Sequence, residues 1–519
     1  MSAILNFLKM KINSLILLIS ITSFTTFSQK ISYQKGANSK TTGSNFRNVV
    51  FIIGDDHSTE VLGAYGNKIV KTPNLDKMAQ RGVLFSHAYV NSPVCSPSRQ
   101  SMITGKYPHA SGVSLLSTPF PEEQISIADY LTPLGYRTAI IGKNHFNSNS
   151  NHGFEYKIEK KDYLNYIKIH PPRIAPDSIK SRPQWKPFKD PANIWLNSDA
   201  LPSSFYDKDD VGTFYAKKAI EFINGKQDEK FCLWLGFEEP HSPFNFPIEY
   251  VNKYNPDEMP LPTGSIEDDR LIPAVFKDLT EKEKKGIVSS YYTSVEYLDK
   301  NVGLVLDALE KAGLSENTLV IYVGDHGYLL NDHKRFEKHM MWEEAVKAPL
   351  IIQGLKAFAP GQIKSELTEF VDLAPTIVEA LGEEPLKNIH GKSLIPLLKG
   401  ETNKHRDYVF SEFLPDNKAM IRTKEFKYIF TSGKNDLGMG YETGFGASGI
   451  THWLYDMKLD PKETTNLSNN PKYKKILLEL QRKLLEVFEK THPLAGKLPE
   501  SWSIEQKFVA YCEPPEEHK

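Results

Sequence analysis

Cysteine is scarce, with three residues in 519. A fold built on a disulfide framework is therefore excluded, and only a single pairing, such as Cys232 with Cys512, stays open. Charge of one sign is also lacking: 63 Lys and Arg stand against 64 Asp and Glu, for a formal net charge of −1. Broad binding to nucleic acid needs a basic excess, so no nucleic-acid partner is expected. Long like-charge blocks and internal repeats are absent, while 40% of the residues are hydrophobic and 11% aromatic, a composition that excludes disorder. Long apolar runs are missing too. The best candidate, Leu15–Ile21, is shorter than the ~20 residues that cross a bilayer, so no membrane span is expected.

That short run has another use. Lys9 and Lys11 precede it and the small residues around Thr26 and Ser28 follow, so residues 1–28 read as a signal peptide and the protein as exported, periplasmic or secreted. Beyond a glycine-bearing lead-in, apolar β-branched runs recur: Asn48–Ile53, Arg137–Ile141, Phe231–Phe237, Thr318–Val323 and Pro349–Gln353. Such runs suit strands covered on both faces. Between them, Val295, Leu298, Val302, Val305 and Leu309 recur at helical spacing, with Gly313 as a stop. The fold expected is α/β: a large, mainly parallel sheet sandwiched by helices, over residues 45–400. Past Gly400 the pattern shortens and alternates over Asp407–Phe413, Ala419–Phe430 and Trp453–Asp456. Residues 401–519 thus read as a smaller antiparallel sheet with a helix at Tyr473–Thr491. Tyr156–Asp210 and Gly438–Gly449 read as insertions.

The chemistry lies where strands end. Asn48–Ile53 runs into Asp55 and Asp56, Arg137–Ile141 into Lys143 and His145, Phe231–Phe237 into His241, and Thr318–Val323 into Asp325 and His326. Open α/β sheets bind ligands beyond the carboxyl ends of their strands. One strand ending in charge means little, because Asp-Asp also serves as turn and cap chemistry. Four such ends are harder to obtain by chance. Three carboxylates brought close cannot all stay ionised uncompensated, and a hard divalent cation, Ca²⁺ or Mg²⁺, resolves the repulsion. In Pro93–Gly105, Ser96 is a candidate helix cap, Pro97 suits the first turn and Gly105 the end. Cys95 then sits at a helix N-terminus, where an anion is favoured, with Arg99 nearby.

Cys95-Ser96-Pro97-Ser98-Arg99 followed by Thr104-Gly105 resembles the C-x-P-S-R-x-x-x-x-T-G signature of type I sulfatases, members of the alkaline phosphatase superfamily. The resemblance runs from about Arg47 to Leu467. It includes the Thr72–Asp76, Val371–Thr376, His390–Leu394 and Leu454–Asp456 segments, and its overall flavour is that of polysaccharide sulfatases of marine Bacteroidetes.

The resemblance implies an alkaline phosphatase-like fold and conversion of Cys95 to formylglycine (3-oxoalanine) by a formylglycine-generating or anaerobic sulfatase-maturing enzyme. The hydrated aldehyde would attack sulfur, release the alcohol and then expel sulfate, which splits one hard step into two. It also implies roles by motif position. Asp55, Asp56, Asp325, His326 and modified Cys95 match metal ligands. Arg99 steadies the diol, Lys143 and Lys338 bind sulfate oxygens, and His145 is the base for sulfate release. His241 or Lys338 protonates the leaving alcohol. Many relatives carry Asp-Asn at the Asp325-His326 position, and Lys334 competes with Lys338 for its role. The implied substrate is a sulfated oligo- or polysaccharide, with an algal polysaccharide such as ulvan favoured. Trp185, Trp195, Tyr441 and Phe445 are candidate platforms for sugar rings. A phosphodiester or phosphonate monoester hydrolase and a non-catalytic binder of sulfated glycans are the rival readings.

Overall fold

The computed structural model describes residues 46–182, 196–225, 228–270, 272–433 and 449–514. In chain order its strands are β1 (Asn48–Gly54), β2 (Val83–Phe85), β3 (Ala88–Tyr89), β4 (Arg137–Gly142), β5 (Tyr156–Ile158), β6 (Phe231–Gly236), β7 (Thr318–Gly324), β8 (Leu350–Gln353), β9 (Gln362–Lys364), β10 (Thr368–Glu369), β11 (Tyr408–Phe413), β12 (Lys418–Thr423), β13 (Phe426–Thr431) and β14 (Thr451–Asp456). Eight form one sheet in the order β5-β4-β6-β1-β7-β8-β2-β9. Only β8 runs antiparallel to its neighbours β7 and β2, so the sheet is mixed and mainly parallel, as expected. β3 and β10 form a short parallel pair.

The apolar runs become strands because helices cover both faces. Along β1, Val50 and Ile52 face one core, where they meet Val302, Val305 and Leu309 of the helix Glu281–Lys311 and Ala216 and Ala219 of the helix Val211–Asn224. Val49, Phe51 and Ile53 face the other core, with Met102, Ile103, Leu373 and Ile377. This is the period-two alternation of a strand with no solvent face. Phe51 and Trp234 stack across β1 and β6 with ring centroids 3.8 Å apart.

β11 to β14 form a four-stranded antiparallel sheet. Val409, Met420 and Ile429 on one face join the core that holds Phe51. Phe410, Ile421, Tyr428 and Phe430 on the other face pack on the helices Lys474–Thr491 and Ile504–Tyr511. The run read as Ala419–Phe430 is a hairpin, because Lys424 and Glu425 turn the chain between β12 and β13. The stretch Tyr156–Asp210, read as an insertion, contains regular structure, and its residues 183–195 lie outside the described residues. It opens with edge strand β5 and the helix Lys160–Ile169, whose start is held by reciprocal bonds between Glu159 and Asp162. Cys95, Cys232 and Cys512 are buried and free of disulfides. Among the described residues, no helix is long and apolar enough to cross a membrane.

Candidate active site

Register brings the chemistry together. Gly54 lies opposite Gly324, Ile53 opposite Gly236, and Gly142 opposite Gly236. Strands β4, β6, β1 and β7 therefore end at one level, and the residues after each end arrive side by side. Glycine is required where they crowd. Gly142 has φ +86°, and a Cβ there would fall 2.0 Å from Gly236 O. A Cβ on Gly236 would fall 2.9 Å from Arg99 Nη1.

The helix Cys95–Thr104 points its N-terminus at this edge, and all of its residues are buried. It starts at Cys95 itself, after Val94, and no side chain caps it. Ser96 is thus not the cap the sequence suggests: its hydroxyl donates to Leu116 O at 2.6 Å and meets His145 Nδ1 at 3.2 Å. Cys95 sits among the open backbone N–H groups of the first turn. Gly105 ends the helix in the left-handed region at φ +71°.

Cys95 Sγ is the centre of the cluster. It lies 3.3 Å from His326 Nε2, 3.5 Å from Asp55 Oδ1, 4.0 Å from Asp56 Oδ1, 3.3 Å from Lys338 Nζ and 3.9 Å from Lys143 Nζ. Arg99 spans the acids behind it. Its Nε bonds Asp325 Oδ2 at 2.9 Å, Nη2 lies 3.4 Å from Asp55 Oδ1, and Nη1 donates to Lys143 O at 2.6 Å. The Lys143 ammonium pairs with Asp55 Oδ2, and Lys338 Nζ bonds Asp56 Oδ1 at 2.6 Å. Lys334 points elsewhere and pairs with Asp269. His241 Nε2 lies 3.9 Å from Asp56 Oδ2. His241 and Lys143 side chains keep 22% and 12% of their exposure while Asp55 and Asp56 keep none, so these two mark the open side of the site.

The electrostatics follow from crowding. Burial alone would raise the Asp55 carboxyl, but Lys143 foremost, then His241, Arg99 and Lys338, hold it well below the usual range. Burial raises Asp325 despite His326 and Arg99. Burial also pushes the Cys95 thiol far up, so as a thiol it is a poor nucleophile at neutral pH. Burial lowers His241 to about 4, and burial with Lys143 and Arg99 keeps His145 neutral.

The residues fit a hard divalent cation. One ligand atom each from Asp55, Cys95, Asp325 and His326 lie within 4.8 Å of one another. Asp56 Oδ2 is buried with no hydrogen-bond partner, an arrangement a cation would resolve. His326 Nδ1 lies 3.0 Å from Gly327 O, the tautomer that leaves Nε2 a lone pair facing the cluster.

Two contributors escaped the sequence reading. The Ser98 hydroxyl donates to Asp325 O, and Gln100 Nε2 donates to His145 O at 2.8 Å. Ser98 had a signal, its place in the motif, whereas Gln100 had none. Trp185, Trp195, Tyr441 and Phe445 lie outside the described residues.

An edge of parallel strands that gathers acids, a buried helix-terminal cysteine and three cations defines a hydrolase site for anionic esters. Comparison with known proteins places it: a model of the Sulfatase family matches residues 47–383, and one described as N-sulphoglucosamine sulphohydrolase, C-terminal, matches residues 331–490. The chain belongs to the Sulfatase family and is a sulfatase, a sulfuric ester hydrolase of alkaline phosphatase-like fold. It is similar to an N-acetylglucosamine-6-O-sulfatase of Bacteroides thetaiotaomicron, 28% identical over 86% of each chain. It is also similar to an ulvan-active sulfatase of Formosa agariphila, 27% identical over 83% of this chain and 77% of the relative. A phosphonate monoester hydrolase of Agrobacterium radiobacter shares the fold, with TM-score 0.72 and 23% identity over 87% of this chain and 97% of that one.

Proposed function

We propose that this sulfatase removes sulfate from a sulfated carbohydrate and that Cys95, matured to formylglycine, supplies its nucleophile. The observation that carries this reading is the convergence of Lys338, Lys143, His326 and Asp55 on Cys95 Sγ, within 3.3 to 3.9 Å. A buried, protonated thiol surrounded by cations has no evident use as a thiol. The hydrated aldehyde would supply an attacking hydroxyl and, after sulfate transfer, a second hydroxyl whose deprotonation expels the sulfate. Asp55, Asp56, Asp325 and His326 would hold a calcium ion, with magnesium the alternative, and the ion would offset charge on the sulfate oxygens.

The chain's own residues do the remainder. Lys143 and Lys338 bind sulfate oxygens and stabilise charge that grows in the transition state. Arg99 stays charged and locks the acids and the helix start in one orientation. His145, held neutral, accepts the proton of the second hydroxyl. His241 lies on the open side, where the alcohol leaves; as a neutral imidazole it can return a proton to that oxygen only after taking one up, whereas Lys338 carries a proton to give.

The relatives point to glycans, and within these we favour an algal polysaccharide or its oligosaccharides, ulvan first. A signal at residues 1–28 would place the enzyme in the periplasm or medium, where polymeric substrates are met. The rival phosphonate monoester or phosphodiester hydrolase rests on a shared fold alone. A non-catalytic binder would need no aldehyde precursor at position 95.

Two measurements test this. Mass spectrometry of the Cys95 peptide, after coexpression with a maturing enzyme, should show the thiol replaced by the lighter aldehyde. Matured enzyme should desulfate at least one member of a panel of ulvan, carrageenan, fucoidan and glycosaminoglycan oligosaccharides, read by NMR. It should also prefer an aryl sulfate to an aryl phosphate diester. Faster turnover of the diester would transfer the protein to the rival class.

A further inference from the structure

We propose that Tyr291 is a positioning residue for the cation site, an inference that rests on the reading of Asp55, Asp56, Asp325 and His326 as cation ligands. Tyr291 lies within the helix Glu281–Lys311, far in sequence from every site motif, and is fully buried. Its hydroxyl donates to the backbone carbonyl of Asp56 and accepts the Ser58 N–H at 2.7 Å. Asp56 needs such support. Its backbone is left-handed, at φ +64°, a conformation that L residues adopt sparingly and that must be held by its surroundings. Its N–H is also fixed, by Asp325 Oδ1 at 2.9 Å.

The ring of Tyr291 reaches two more of the site loops. Phe244 meets it edge-on with centroids 5.4 Å apart, and Tyr328 stacks on it at 5.7 Å. Phe244 closes the turn that begins at His241, since Phe244 N donates to His241 O at 2.9 Å. Tyr328 follows Asp325 and His326, and its hydroxyl donates to Phe336 O at 2.9 Å, two residues before Lys338. One side chain thus bears on the loops that carry Asp56, His241, Asp325 and Lys338. Groups that orient ligands in this indirect way are worth about 10- to 100-fold in metal affinity or activity.

The test uses Tyr291→Phe, which keeps the ring and removes the hydroxyl. Tyr292→Phe is the control, because its hydroxyl is also bonded, but to Asn67 Nδ2 at 2.9 Å rather than to the backbone of Asp56 or Ser58. Calcium titration of chelator-stripped full chain by calorimetry should show about tenfold or more weaker binding in Tyr291→Phe and unchanged binding in Tyr292→Phe. Hydrogen exchange of the metal-free proteins should speed up over residues 54–60 in Tyr291→Phe alone. Calcium affinity within twofold of wild type, or an equal loss in the control, overturns the proposal. Should wild type bind neither calcium nor magnesium, the cation reading falls by itself. Exchange over residues 54–60 then decides the positioning role, and unaltered exchange rejects it.

Discussion

Lys338 Nζ stands 3.3 Å from Cys95 Sγ although 243 residues separate the two in the chain. The same ammonium bonds Asp56 Oδ1 at 2.6 Å, so it bridges the nucleophile position and a cation ligand. Lys334, four residues earlier, pairs with Asp269 at the surface. The sequence assigns the role to Lys338 with Lys334 as its competitor, and the surroundings of the two lysines differ in the same sense.

Lys338→Ala should therefore lower kcat on a sulfate ester by about 100- to 1000-fold, the usual cost of removing one transition-state donor. Lys334→Ala should stay within about twofold of wild type, since it removes only an exposed pair. Steady-state rates of the two matured variants decide the matter. Equal losses would mean that the loop as a whole, rather than the Lys338 charge, matters.

Arg99 is the next test. Its guanidinium reaches Asp325, Asp55 and the Lys143 carbonyl at once, from a side chain only 2% exposed. Arg99→Met would leave two buried carboxylates short of a countercharge and should cost about 3–5 kcal/mol of stability. Arg99→Lys keeps the charge but loses the planar fork, so its loss should be smaller while activity still falls. Urea unfolding of the metal-free variants measures the first effect. A Met variant as stable as wild type would show that the acids are neutral without Arg99.

Much of this site was legible in the sequence because the signals were local. Runs such as Asn48–Ile53 and Thr318–Val323 are apolar but for their first residue and suit strands buried on both faces, so the charged residues after them were expected to share an edge. What stayed hidden was either short or distant. β5 has three residues, too few to show a period, and the edge position leaves it partly exposed. The start of the helix at Cys95 was displaced to Ser96 because serine is a common cap. Here a carbonyl from Leu116 claims that hydroxyl instead. Tyr291 was invisible for another reason: its bond to Asp56 spans 235 positions, and nothing in its helix pattern distinguishes it from a core aromatic.

Calcium should also be visible as stability. Ligand that binds only the folded chain adds about 2.7 kcal/mol when present at 100 times its Kd. Chelation should lower the melting temperature of wild type, and calcium should restore it. Asp325→Ala, which removes a buried carboxylate from the centre of the cluster, should show no calcium response at the same concentration. A full response in that variant would place the ion elsewhere.

Acid sensitivity should arise partly far from the catalytic edge, at His492. Burial, with neighbouring His109, lowers this imidazole from 6.5 to about 3. The geometry gives the reason, since Nδ1 accepts the Leu494 N–H at 3.1 Å and its ring packs on Tyr511. The sign is set by which state takes the proton. Above pH 6.5 both folded and unfolded chains hold His492 neutral and it has no effect. Below 6.5 the unfolded chain is protonated while the folded one resists until about 3, so stability drains as pH falls through that window, by up to about 1.4 kcal/mol per unit. Asn at this position can accept the same N–H, two residues on, without titrating. His492→Asn should therefore lose less stability than wild type between pH 6.5 and 5, by up to about 2 kcal/mol. Urea midpoints at pH 7, 6 and 5 measure this, and parallel curves for the two proteins would remove His492 as a source of the acid response.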